Sequence, residues 1–212
     1  MKKLSLALVV CLIVAFGFCG CGGPTPTQTA DTFLTAVKAG DTETIKTVYD
    51  GKSFDVLAVL DEDSEGDASD EDIMEDDELV KMLIEKMQDF DYELSNEKID
   101  GDKATVDVKI TTYNIGNAFT AFMTEDFTQA FALAFSDAAD DQIEELANTI
   151  LETKLNELKD KDYSETVTLN LVNKDDGWKV AKIKNDSDFY NAVTGGLVKA
   201  FESLEDAFSF DE

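Results

Sequence analysis

The tightest constraint on this fold lies between Ala104 and Thr111. Ala104, Val106, Val108 and Ile110 alternate there with Thr105, Asp107, Lys109 and Thr111. A period of two gives one apolar face and one wet face, which suits an antiparallel sheet and not a helix. The preceding segment, Tyr92 to Ile99, runs into Asp100-Gly101, a pair suited to a tight hairpin turn. A second hairpin follows, in which Val167, Leu169 and Leu171 alternate with Thr166, Thr168 and Asn170. Asp176-Gly177 supplies its turn, and Trp178 and Val180 begin the return strand.

Helical spacing fills the rest of the chain. Thr27 to Ala39 sets Ala30, Phe33, Leu34 and Val37 on one face; Gly40 stops that helix in left-handed form. Asp41 caps a second helix carrying Ile45, Val48 and Tyr49. Phe54 to Leu60 is a short apolar run that fits helix or strand equally. Leu79, Val80, Leu83, Ile84 and Met87 mark an amphipathic helix to about Gln88. Two more helices are expected between the hairpins. Ala118 to Phe135 carries Phe119, Phe122, Phe127, Phe131 and Phe135, a stripe that reads as core more readily than as a partner-binding face. Asp140 to Lys159 carries Ile143, Leu146, Ala147, Ile150, Leu151, Leu155 and Leu158. A last helix, Asp188 to about Leu204, is interrupted by Gly195-Gly196. Each glycine costs about 1 kcal/mol against alanine inside a helix, so a kink or close packing is expected there. The fold class is therefore α+β: N-terminal helices on a curved antiparallel sheet of two hairpins, with a helical-hairpin insertion and a C-terminal helix.

The N-terminus is of another kind. Met1-Lys2-Lys3 precedes a run of 15 residues, Leu4 to Phe18, in which Ser5 is the only polar side chain. That is short of the roughly 20 apolar residues that span a bilayer. It has the layout of an export signal. The run ends in Phe18-Cys19-Gly20-Cys21-Gly22-Gly23. A small residue followed directly by cysteine resembles the lipobox of bacterial lipoproteins, with Phe18 where that family usually carries leucine. The resemblance implies cleavage before Cys21, lipid on Cys21, and attachment to the extracytoplasmic face of the cell membrane. The expected organisation is a signal peptide at 1–20, a lipidated linker at 21–27 containing Pro24 and Pro26, and one domain at 28–208. Within that domain lie an acidic loop at 61–78 and the helical insertion at 117–160. Cys11 and Cys19 would leave with the signal, so Cys21 would be the one cysteine of the mature chain.

Charge narrows the possible tasks. Removing the signal leaves 16 lysines against 46 acids, a net of −30. Nucleic acid is excluded as a partner, because phosphates would be repelled and no basic patch exists to release counterions. Docking on anionic headgroups without a lipid anchor is disfavoured for the same reason. The chain holds no histidine and no arginine. That removes the commonest general base near neutral pH, the histidine-based nucleophile systems and the usual zinc sites. No cofactor is expected. The expected role is a non-enzymatic domain binding an unidentified ligand or envelope protein.

The order of two helices joined at Gly40-Asp41, a third helix and then antiparallel hairpins ending in Gly177-Trp178-Lys179-Val180 resembles the nuclear-transport-factor-2-like (cystatin-like) α+β cone of small bacterial lipoproteins. The residues behind the match are Pro26, Phe33, Ala36, Gly40 and Asp41 early, Asp176, Gly177, Trp178 and Val180 late, and the run Asn191 to Gly196. Some members of that superfamily are isomerases using an aspartate with tyrosine donors inside the cone. The resemblance therefore implies an alternative in which Tyr92, Tyr113 or Tyr163 serves such chemistry, although no diagnostic motif matches. A third alternative is calcium binding. Twelve of the 18 residues from Asp61 to Glu78 are acidic, and Asp61, Asp63, Glu65, Asp67, Ser69 and Asp72 stand at calcium-loop spacing, with Gly66 at the sixth position. Glu65 and Asp72 have the wrong lengths for their positions and Ala68 lacks the usual large apolar side chain. A solvated acidic loop with weak calcium affinity is the better reading.

Overall fold

The structure is a computed structural model describing residues 23–57, 78–126 and 140–208. Helix α1, Pro26–Ala39, opens on a reciprocal cap: the Gln28 amide N–H donates to Thr25 Oγ1 at 3.2 Å, and the Thr25 N–H donates to Gln28 Oε1 at 2.9 Å. Its buried face is Ala30, Phe33, Leu34 and Val37, as the spacing predicts. Gly40 ends it at φ +63°, and Asp41 caps α2, Thr42–Val48, by accepting from the Thr44 N–H at 3.0 Å. Of the ambiguous apolar run, the described part is a short turn at Val56 and Leu57, and residues 58–60 lie outside the described residues. Phe54, Val56 and Leu57 are all buried there. Phe54 packs within 5.0–6.0 Å, centroid to centroid, of Phe33, Tyr49, Phe189 and Tyr190.

The sheet is an open antiparallel meander, β1 (Asp91–Asp100), β2 (Lys103–Thr112), β3 (Tyr163–Lys174) and β4 (Gly177–Val180), in that spatial order. The alternating residues of β2 face those of β3 directly: Ala104 opposite Leu171, Val106 opposite Leu169, Val108 opposite Val167. All six are buried, while Thr166, Thr168 and Asn170 point to solvent. α1 packs on β1, β2 and β4. After α2 the chain bridges the β4 edge, with the Asp50 N–H donating to the Val180 carbonyl at 2.8 Å, so that edge is covered.

Both turns sit one residue away from the Asp-Gly placement expected from sequence. Asp100 pairs with Lys103, so Gly101-Asp102 forms the first turn, with Gly101 at φ +61° in its first central position. Lys174 pairs with Gly177, so Asp175-Asp176 forms the second turn and Gly177, φ +112°, follows it. The glycine supplies the positive φ in each case; strand register decides where that φ falls.

β1 breaks its alternation at a bulge, where Asn96 and Glu97 together oppose one residue of β2. Asn96 takes φ +53° and donates its side-chain amide to Asp107 Oδ2 at 2.9 Å. Glu97 reaches the first turn of α1, accepting from the Thr27 N–H at 2.8 Å and its hydroxyl at 2.6 Å. A carboxylate at a helix N-terminus complements the exposed N–H groups there.

Helix α3 (Glu78–Gln88) buries Met87 and leaves Leu79, Val80, Leu83 and Ile84 half-buried. α4 (Ile115–Ala121) runs into a π-helical turn, Phe122–Asp126, and α5 covers Asp140–Glu157. Of the phenylalanine stripe, Phe122 is buried and Phe119 meets Phe201 edge-on at 4.7 Å; Phe127, Phe131 and Phe135 lie outside the described residues or side chains. Leu155 is the fully buried member of the described α5 side chains.

The final helical pattern divides into α6 (Asp188–Val193) and α7 (Leu197–Phe208). Gly195 and Gly196, both at positive φ, make the break, and the Gly116 N–H donates to the Gly195 carbonyl at 3.0 Å. A Cβ on Gly195 would stand 1.9 Å from the Tyr113 carbonyl oxygen, and one on Gly116 would stand 2.3 Å from the Gly196 carbonyl oxygen. The expected kink and the expected close packing are one feature.

Candidate functional site

Strand register places both hairpin turns at one end of the sheet, beside the start of α1. The other end gathers the C-terminal turns of α1 and α3, the start of β1, the exit of β2 and the loop from α5 into β3. A cleft of about 320 Å³ opens there, lined by Met82, Glu85 and Lys86 of α3, by Asp89 just beyond it, and by Tyr113 just after β2. Its size is at the low end for small-molecule sites.

The cleft is a connected set of charges. Tyr113 donates its hydroxyl to Asp89 Oδ2 at 2.9 Å, and Lys161 donates to Asp89 Oδ1 at 2.7 Å and to Asp91 Oδ2 at 3.1 Å. Lys86 donates to the Leu158 carbonyl at 2.7 Å and stands 4.1 Å from the centre of the Tyr113 ring. Lys38 lies 3.8 Å from Asp91 and donates to the Phe90 carbonyl. The Lys161 bond, helped by Tyr113 and opposed by burial, holds Asp89 below the ordinary aspartate range. The Asp89 hydrogen bond, with some burial, holds Tyr113 above the ordinary phenol range. Burial first and Lys159 second push Lys86 down, against the pull of Asp89. Asp89 and Tyr113 are thus driven away from the near-neutral pKa that proton transfer favours. Lys86 uses one of its three N–H donors on Leu158, and its ammonium shares the cleft lining with the carboxylates Glu85 and Asp89. Such a site can hold a small polar or zwitterionic group by paired charge.

A second network ties β3 to the last two helices. Asn191, 1 % exposed, donates to Glu165 Oε2 at 2.7 Å and to the Tyr163 oxygen at 2.8 Å, while its own carbonyl accepts the Lys199 N–H at 3.1 Å. Tyr163 donates to Glu165 Oε2 at 2.6 Å and Lys199 donates to Glu165 Oε1 at 2.7 Å. Burial works to raise Glu165, but the bonds from Lys199, Tyr163 and Asn191 outweigh it and hold the carboxyl low. Burial and Glu165 together push the Tyr163 phenol up.

The three tyrosines considered for isomerase-like chemistry each donate to a different carboxylate: Tyr92 to Asp31 at 2.7 Å, Tyr113 to Asp89, and Tyr163 to Glu165. Burial, then the Asp31 bond and its charge, push Tyr92 up to about 12 against a bond to Thr35. Cys21, the signal at 1–20 and the acidic residues 61–77, including the calcium-loop positions, lie outside the described residues. Among the described residues no group of three or more acidic or cysteine side chains is arranged to hold a metal, and no helix is long and apolar enough to cross a membrane. Sequence reasoning missed Lys86, Asp89 and Lys161. They come from separate segments and follow no spacing, so only the packing of α3 beside the β2 exit brings them together.

No protein-family model matches the sequence, and no curated protein matches it. Among solved structures, the crystal structure of ycdA, a candidate lipoprotein from Bacillus subtilis, aligns at a TM-score of 0.38 with 16% identity. The alignment covers 84% of this chain and 48% of that one, so the chain spans about half the length of that protein. At this level neither fold nor function transfers between the two.

Proposed function

We propose that this chain is an extracytoplasmic lipoprotein, held on the cell membrane by lipid on Cys21, whose α+β domain is a non-catalytic binding module of the cell envelope. The observation behind the reading is Gly20-Cys21 at the end of the 15-residue apolar run, with the cap of α1 at Thr25 only four residues further on. The order of helices, hairpin, helical insertion and hairpin supports the nuclear-transport-factor-2-like assignment as part of the same proposal. Phe33, Tyr49, Phe54, Phe189 and Tyr190 pack ring against ring in the buried core. The ligand or partner site is therefore assigned to the Lys86–Asp89–Tyr113 cleft at the end of the sheet.

Palmitate labelling and membrane fractionation of wild type and Cys21→Ala test the anchor. Label on wild type alone, with the variant released from the membrane fraction, supports the reading. Equal label on both ends it.

A further inference from the structure

We propose that the domain has a fixed polarity on the membrane: the end of the sheet carrying the β1–β2 turn rests on the lipid surface, with Ile99 as its apolar contact, and the Lys86–Asp89–Tyr113 cleft faces away. The proposal rests on the lipid anchor at Cys21 and extends it.

The tether is short. Four residue steps separate Cys21 from Thr25, the cap of α1, so their Cα atoms stand at most about 14 Å apart. The start of α1 is therefore kept close to the headgroups. What lies beside that start is set by Glu97, whose carboxylate accepts both the N–H and the hydroxyl of Thr27. The β1–β2 turn, Gly101-Asp102, begins four residues beyond Glu97, so it shares the membrane-facing end.

Ile99 is 56 % exposed, the exposed large hydrophobic among the described residues. Its cross-strand partner is Ala104, 4 % exposed on the core face. Opposed residues in a ladder share a face, so Ile99 belongs to the core-facing row of the sheet. It is uncovered because the helix layer begins at Pro26. Lys98 and Lys103 flank it, both exposed, and their stems allow the amines to reach headgroup phosphates. Asp100 and Asp102 balance these two cations and Glu97 is occupied by α1; in the β3–β4 turn at the same end, Lys179 pairs with Asp176 at 2.7 Å and Asp175 is exposed.

Asp91, bonded to Lys161 at the cleft end, pairs with Thr111 and Ile99 pairs with Ala104, seven steps apart along β2, about 23 Å at strand rise. An anchored domain in this orientation offers its cleft to partners in the envelope space rather than to lipid.

The test uses the full chain purified in lipidated form and placed in vesicles of phosphatidylethanolamine and phosphatidylglycerol. Ile99→Cys and Glu85→Cys, both at exposed positions, each carry one environment-sensitive dye, read against quenching by a headgroup-nitroxide lipid. The expected result is several-fold stronger quenching at position 99 than at position 85. Equal quenching, or stronger quenching at 85, on protein whose mass shows acylated Cys21 overturns the orientation and leaves the anchor standing. A mass showing unmodified Cys21 overturns both.

Discussion

Gly101 and Gly195 share a backbone φ of +61° and differ in everything around them. An alanine Cβ at Gly101 meets nothing within 4 Å. Gly101→Ala therefore incurs only the left-handed penalty, about 1–2 kcal/mol. Reduced freedom of the unfolded chain returns roughly 0.4–1 kcal/mol of it. At Gly195 the same methyl would stand 1.9 Å from the Tyr113 carbonyl oxygen and 3.1 Å from the Ile115 nitrogen, both backbone atoms that cannot rotate aside. The segment has to separate from α4, adding about 1–3 kcal/mol of steric cost. The hydrogen bond from Gly116 to Gly195 goes with it, about 1 kcal/mol more. Gly195→Ala is expected to lose roughly 3–5 kcal/mol in all, a large share of the roughly 5–15 kcal/mol that holds a domain. Gly116→Ala, with ordinary φ and a contact of 2.3 Å to the Gly196 carbonyl, isolates the steric part and falls between the two. Urea denaturation with matched m-values measures all three. Equal losses at Gly101 and Gly195 would refute the claim that the break between α6 and α7 is a close backbone docking on α4.

Phe54→Ala removes the ring that touches four other aromatics and is expected to lose about 3–5 kcal/mol by denaturant titration; a loss below about 1 kcal/mol would mean the cluster is loosely packed. Thr112 is fully buried and its hydroxyl finds no hydrogen-bond partner among the described residues, so Thr112→Val should stabilise the domain by about 1 kcal/mol and raise Tm. The folded-state pKa of Glu165 lies below the ordinary value of 4.5. Its stabilisation is thus fully present above that value and is lost as pH falls through the lower folded pKa. Glu165→Gln should flatten the acid side of the stability curve below the ordinary value of 4.5. A curve parallel to wild type over that range would show that Lys199, Tyr163 and Asn191 do not hold the carboxylate.

The parts of the fold that were legible are those where one period decides the structure. Ala104 to Thr111 and Val167 to Leu171 each bury one face, and α1 announces itself through Phe33, Leu34, Val37, Gly40 and Asp41. Register was not legible, because Asp-Gly says that a positive φ is needed nearby and not which strand residues pair across it; both turns sit one residue off for that reason. The β1 bulge is hidden for a related cause: Asn96 and Glu97 look like ordinary exposed strand residues until Asp107 and Thr27 are brought beside them. Gly195-Gly196 signalled a break, but nothing in its neighbourhood named Gly116 as the backbone it docks against. The cleft is the least legible element. Lys86 looks like one more cation on the wet face of an amphipathic helix, and Asp89, Tyr113 and Lys161 acquire meaning only when α3, β2 and the α5–β3 loop converge.

The central claim is that Cys21 is the attachment point of a domain that begins four residues later. The most direct measurement is the intact mass and N-terminal peptide of the chain extracted from cell membranes. The account predicts a mature N-terminus at Cys21 carrying lipid, with residues 1–20 absent. An N-terminus elsewhere, or Cys21 present without acyl mass, would contradict it.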